Sequence, residues 1–413
     1  MAVRWQPRIG WINLNRRGDP MNYGRWWKGW VFMMAMFMMG AVGGCSTSGQ
    51  PASAKQTREY WIYVGTYTRT LSKGIYRMKL DTTTGELSPP VLAAEIEDPN
   101  FLAIPPGNRF LYTVGHTNQG KDSVVDAFAL DAVSGKLTFL NQQPSGGKGA
   151  THIGVDPGGT IAVIANYTSG DVSALPINAD GTLAPPSQVI QHTGSSVDPE
   201  RQKHAFPHSC NFDPAGHFVL VPDLGTDKVY TYRFDPADRT LSPGDPPTVS
   251  VAPGTGPRHM AFHPNGKFAY VVGEMGGNLM VFQYDADRGA LKPRQTISTL
   301  PPDFKGVNTS AEVQVLPSGK ILYVSNRGPD DLTIFRIEDD GARLVQIGFQ
   351  STMGKGPRHF AVDPTGNFLI AENQQSDSVV QFRIDPQSGA LTLMGDPIQI
   401  GMPVCVQFVP VGG

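Results

Sequence analysis

The chain has 413 residues, among them 47 glycines and 35 prolines, so it is rich in turns without being low in complexity. A formal net charge of −2 argues against a nucleic-acid partner, which requires a basic face. Beyond the N-terminal segment roughly 355 residues remain, more than one ordinary core takes, whereas a ring of repeated units absorbs that length.

In chain order, the first feature is Arg25 and Lys28 followed by an apolar run from Trp30 to Val42. The run is too short for a comfortable membrane span, and it ends in Val42-Gly43-Gly44-Cys45. That is the layout of a signal peptide, and it resembles a bacterial lipobox in which Cys45 becomes the lipidated first residue. Residues 1–45 are therefore expected to be a lipoprotein-type signal, with Met21 an alternative start, and an uncleaved N-terminal anchor is the other reading. Residues 46–58 follow as a tether and 59–413 as the folded body. Ser46 after the cysteine points to an outer-membrane-tethered or periplasmic location, with the membrane contacted only through the lipid. Cys210 and Cys405 fall on inner strands of non-adjacent repeats, so both are expected to be free and buried.

From residue 81 onward an acidic or amide residue, a tight turn and a leucine recur. The copies end at Leu87, Leu137, Leu183, Leu241, Leu291, Leu344 and Leu391, a period of roughly fifty residues. A second marker, a Pro/Gly turn between two short apolar strands, falls at Pro106, Pro157, Pro214, Pro264, Pro317 and Pro364. No long helical pattern interrupts them. These signals give an all-β, seven-bladed propeller of four-stranded blades. The segment Tyr60–Val64 takes the place of a second strand, since no Pro/Gly turn precedes it. Val404–Val409 is left over at the other end. The two are expected to pair and close the first blade, which removes both open edges.

Laying the repeats over one another exposes polar columns. The second position of the innermost strands reads Asn100, Thr151, His208, Arg258, Ala311, Arg358 and Val404, and the third Phe101, His152, Ser209, His259, Glu312, His359 and Cys405. The second strands end in polar pairs such as Thr66-Tyr67, Asn166-Tyr167, Gly273-Glu274 and Asn326-Arg327. Several ionisable groups at one channel mouth are costly unless paired or used. A Glu274 among Arg258, Arg327, Arg358 and His208 suits an anionic substrate and acid–base chemistry. His259 and His359, which alternate away from the preceding arginines, are expected to be structural. His192, His204, Arg201 and Lys203 lie in the long connection 191–206, a possible cover for the channel. Nothing resembles a metal cluster, a Gly-x-Ser-x-Gly elbow or a phosphate-cradling loop, so no cofactor and no metal are expected.

The blocks YVGTYT (63–68), HAFPHSCNFDPAG (204–216), GPRHMAFHPNGKFAYVVGE (256–274), LYVSNRG (322–328) and GPRHFAVDPTGNFLIAENQQSD (356–377) resemble the seven-bladed lactonase family. That family includes propeller-type 6-phosphogluconolactonases and fungal carboxymuconate-lactonizing enzymes. In the latter the site is a His, an Arg, a Glu sixteen residues on, and a second Arg. The resemblance implies His208, Arg258, Glu274 and Arg327 as the catalytic set, with His152, Asp223, Asn326 and Arg358 as further substrate-binding candidates. It implies hydrolysis of a sugar-type or other small anionic lactone by base-activated water in a monomer, with Glu274 or His208 as base. Two rival expectations stand beside it: a carboxymuconate-type cycloisomerase, and a non-catalytic envelope propeller that binds a ligand or protein. The export signal is at odds with a phosphorylated sugar lactone, which is made in the cytosol.

Overall fold

The computed structural model describes residues 59–117 and 121–412. The expected signal segment, the tether and Cys45 lie outside the described residues. Within them the chain forms seven antiparallel four-stranded sheets in a propeller. The second strand of each blade is buried on both faces and reads as a near-continuous apolar run, as in Phe218–Asp223 (FVLVPD), where all six residues are buried. The outermost strands face solvent on one side and show the alternation expected of a half-buried strand, as in Ala290–Ser298.

Closure follows the expected scheme. The last strand, Pro403–Pro410, is the innermost of the first blade and pairs antiparallel with Glu59–Thr66, setting Ile62 opposite Phe408 and Val64 opposite Val406. The apolar core divides into seven clusters that bridge neighbouring blades; one joins Ile62 and Val64 to Phe368 and Ile370 across the closure. Cys210 and Cys405 are free and buried in separate clusters.

The recurring acidic-turn-leucine motif has an inter-blade role. In four blades a buried tyrosine on the second strand donates its hydroxyl proton to the carbonyl of the turn glycine in the next blade: Tyr63 to Gly135, Tyr112 to Gly181, Tyr270 to Gly341 and Tyr323 to Gly389, at 2.8–3.0 Å. Gln381 reaches Gly85 in the same way across the closure, at 2.9 Å. Gly181 has φ +86°, and a Cβ there would meet the Phe110 ring at 2.1 Å, so the turn requires glycine on two counts. The sequence repeat thus records how each blade holds the next. Removing residues 404–413 strips the first blade of its inner strand and leaves Glu59–Thr66 as an open edge. A truncated protein is expected to show no cooperative thermal transition by circular dichroism and to partition into aggregates on expression.

Candidate active site

The site is sorted by the two-residue period of the strand. At the end of each second strand, the first member of the polar pair turns into the sheet: Thr66, Asn166, Asp223, Asn326 and Asn373 are fully buried. The second member turns to the channel, where Tyr67, His116, Tyr167, Glu274 and Arg327 line one cavity of about 330 Å³. The start of the inner strands adds Asn100, Thr151, His208 and Arg358 to the lining. The polar columns of the sequence are therefore the wall of a single pocket at the channel mouth.

Glu274 is the centre of charge. Its Oε2 lies 3.0 Å from Arg258 Nε, 3.1 Å from Arg327 Nη2 and 3.9 Å from His208 Nε2. Its Oε1 accepts from Arg201 Nη2 at 2.5 Å. Burial alone would raise the Glu274 carboxyl, but Arg327, Arg258 and Arg201 outweigh it and hold the group well below the usual carboxylate range. Burial, reinforced by Arg258, holds His208 well below the ordinary imidazole range, so the ring is neutral. Burial also lowers Arg258 and Arg327 from the ordinary guanidinium value, and their neighbouring arginines add to the effect. A guanidinium stays protonated across the physiological range.

The four arginines do different things. Arg258 is almost wholly buried, donates from Nη1 to the Ala311 carbonyl at 2.8 Å, and stands behind Glu274 away from the cavity lining. Arg327 reaches the cavity with its Nε anchored on the Thr309 carbonyl at 3.0 Å. Arg358 lines the cavity from the next blade, with its guanidinium 5.8 Å from the centre of the Tyr67 ring. Arg201 comes from the long connection and is the most exposed of the cations on Glu274, at 40% of its side chain.

Beneath this layer the third column of the inner strands fills the channel. Phe101 lies 4.0 Å from the His152 ring and 5.7 Å from the rings of His259 and His359. Glu312 Oε2 meets His259 Nδ1 at 2.6 Å and His359 Nε2 at 3.7 Å, and Glu372 Oε2 lies 3.2 Å from His359 Nδ1. Burial holds His152 and His359 down to about 3. Burial likewise pushes Glu312 up to about 8 and Glu372 well above its ordinary value, the latter aided by Glu312. The upper layer is ionised and the lower layer neutral.

The structure brings together His208, Arg258, Glu274, Arg327 and Arg358. It sets three other candidates apart. Asp223 is turned into the sheet, where it accepts from the backbone N–H groups of Phe206, Gly225 and Thr226 and meets His192 Nδ1 at 2.7 Å. Asn326 donates to the Thr299 carbonyl and Asp331, closing its own turn. His152 lies in the lower layer and accepts from the Cys210 N–H at 3.2 Å, below the cavity lining. Tyr67, His116, Tyr167 and Arg201 line the pocket although no role was assigned to them. The first three are second members of the polar pairs that end the second strands, whereas Arg201 lies outside the repeat. Among the described residues no group of three His, Cys, Asp or Glu is arranged to hold a metal ion.

Glu372 gives a signed test of the lower layer. A carboxyl whose folded pKa is raised contributes no penalty below its unfolded value. It costs stability as pH rises from there towards the folded pKa. Glu372→Gln removes that cost, so the variant is expected to gain stability over the native chain by about 1.4 kcal/mol per pH unit above pH 5. Urea unfolding at pH 5 and pH 8 measures it.

Comparison with known proteins agrees with this architecture. A family model described as a seven-bladed β-propeller lactonase matches residues 61–408. The chain is 37% identical over 351 residues to a 6-phosphogluconolactonase of Bacillus subtilis, covering 85% of this chain and 99% of the relative. It is 31% identical over 344 residues to a 6-phosphogluconolactonase of Formosa agariphila, covering 80% and 94%. The solved periplasmic gluconolactonase of Pseudomonas aeruginosa superposes with a TM-score of 0.81 at 34% identity, over 86% of this chain and 99% of that one.

Proposed function

We propose that this chain, which belongs to the seven-bladed β-propeller lactonase family, hydrolyses a sugar-type lactone in the pocket at its channel mouth, with Glu274 as the base that activates water. The reaction class is lactone hydrolysis, an attack of water on an ester carbonyl within a ring. The observation that carries the reading is one ionised, buried carboxylate held by Arg201, Arg258 and Arg327 in a cavity that Arg327 and Arg358 also face.

Each residue then has a task. Arg258 fixes Glu274 from behind, since it does not face the cavity. Arg327 and Arg358 hold planar oxygen anions and stabilise the negative charge that builds on the carbonyl oxygen. Glu274 in its resting state is a weak base, because its counter-charges hold its pKa down. An electron-rich occupant that draws the exposed Arg201 to itself weakens that pair and raises the basicity of Glu274 when water is in place. His208 Nε2, 3.9 Å from the same carboxylate, gives a proton to the ring oxygen as it leaves.

The site of action completes the reading. The apolar run before Cys45 and the likeness to a periplasmic gluconolactonase support an exported protein tethered by lipid on Cys45. Outside the cytoplasm the substrate is an unphosphorylated sugar lactone. The test uses the chain from Ser46 onward with glucono-δ-lactone and 6-phosphogluconolactone, following ring opening above the spontaneous rate. Acceleration of the first lactone is expected, and Glu274→Gln is expected to lower kcat by at least about 10²-fold while its circular-dichroism spectrum stays that of a folded propeller. Acceleration of the phosphorylated lactone alone overturns the substrate. No acceleration of either, with cyclisation of a carboxymuconate, moves the assignment to a cycloisomerase.

A further inference from the structure

The wall of the pocket is unevenly charged around the ring. Its cations come from one arc: Arg327 at the end of the strand Ile321–Arg327, Arg358 on Pro357–Val362 in the next blade, and Arg201 from the long connection. The second and third blades contribute Asn100, His116, Thr151 and Thr168. These are uncharged, since burial lowers the His116 imidazole. Among the described residues of the lining Glu274 is the one acid. Arg201 and Arg327 both pair with it, as does the buried Arg258. Three guanidiniums thus share a single carboxylate, and Arg358 is left without one.

Among the described residues the half-buried Arg358 guanidinium forms no ion pair and donates no hydrogen bond; its recorded neighbour is the Tyr67 ring, at 5.8 Å. Its charge works against the residues around it, being one of the cations that lower Arg258 and Arg327 and keep His208 neutral. A guanidinium has five N–H donors, and a partly buried charge without a counter-ion costs stability. The side chain is therefore set for an anion that the protein itself does not supply. We propose that Arg358 is a specificity-determining residue that binds a carboxylate the substrate carries in addition to its ester, which makes the substrate the lactone of a sugar diacid. The inference rests on the hydrolase reading above and names its substrate class.

The chemistry of the two ends of such a molecule matches the two arcs. The lactone of a plain aldonic acid is uncharged and leaves Arg358 uncompensated. A sugar diacid that has closed one carboxyl into the ring keeps the other as a carboxylate, whose two planar oxygens fit the guanidinium fork. Outside the cytoplasm, where phosphate is not the anion at hand, the carboxylate takes that place. The order of the blades then orients the substrate. Its ester lies at Glu274, its carboxylate on Arg358 two blades further round, and its hydroxyls against Asn100, Thr151 and Thr168 of the second and third blades. Hydrolysis leaves the second carboxylate untouched, so lactone plus water gives the open diacid.

The test compares kcat/KM of the full-length protein for glucaro-γ-lactone, which bears the carboxylate, and glucono-γ-lactone, which lacks it, with 6-phosphogluconolactone as a third substrate. The carboxylated lactone is expected to be preferred by about 10-fold or more, through KM. Arg358→Gln is expected to cut that preference to below about 3-fold, and Arg358→Lys to keep part of it. Absence of the preference in the native protein overturns the proposal. So does a preference that survives Arg358→Gln, or a phosphorylated lactone that outruns the carboxylated one. Calorimetry with the open-chain acids reads the same subsite without turnover: glucarate is expected to bind about 10-fold or more tightly than gluconate. Equal binding overturns the carboxylate subsite even where Arg358→Gln does not fold. Tighter binding of glucarate with no ring opening of any lactone upholds the subsite, and the hydrolase reading then fails separately.

Discussion

Everything in this molecule depends on the pairing of the two chain ends in one sheet. No blade buries its faces alone: the apolar clusters lie between blades, and each turn glycine is held by a side chain of the blade before it. A row of such units needs either caps or closure. Pairing Pro403–Pro410 with Glu59–Thr66 provides closure, and the ring then forces seven inner strands towards one axis. The first residues of those strands have nowhere to point but the channel mouth. Chemistry accumulates there because the geometry concentrates side chains that are far apart in sequence.

Two layers of ionisable groups share that axis and follow opposite rules. In the upper layer a carboxylate is kept charged because cations surround it at 2.5–3.1 Å. A buried charge of this kind is tolerated only when its partners are fixed, and Arg258 and Arg327 are fixed by backbone carbonyls. In the lower layer burial outweighs the available charges, so acids and imidazoles alike are held neutral. One arginine marks the boundary between them. Arg258 serves Glu274 with its Nε and reaches towards the Glu312 strand with its Nη1.

Much of this was legible in the sequence for a simple reason. The turn motif repeats because the same contact between blades repeats, so seven copies meant seven sheets. Closure was legible from the missing first strand and the surplus last one. The candidate site was half legible. His208, Glu274, Arg327 and Arg358 stand in columns whose position decides their direction, and Asp223 and Asn326 stand one residue out of phase with Glu274 and Arg327 and so turn into the sheet. One residue on a strand is the difference between the cavity and the sheet interior. Arg258 shares its column with His208 and Arg358, yet its guanidinium is tied to Glu274 and the Ala311 carbonyl outside the cavity lining, which spacing does not encode. Arg201 belongs to an insertion outside the repeat, so no column existed to point at it.

The cationic lining has a consequence for the end of the reaction rather than its beginning. The channel below the pocket is filled by Phe101 and the rings of His152, His259 and His359, so whatever enters at the mouth leaves by the mouth. Ring opening of the proposed kind turns an uncharged ester into a carboxylate and leaves it among Arg201, Arg327 and Arg358. The product is held more tightly than the substrate by the charge it has gained. That added charge works against departure through the mouth. The exposed Arg201, the one cation on Glu274 that comes from a long connection, is placed to hand its grip back to Glu274 as the hydroxy acid is released.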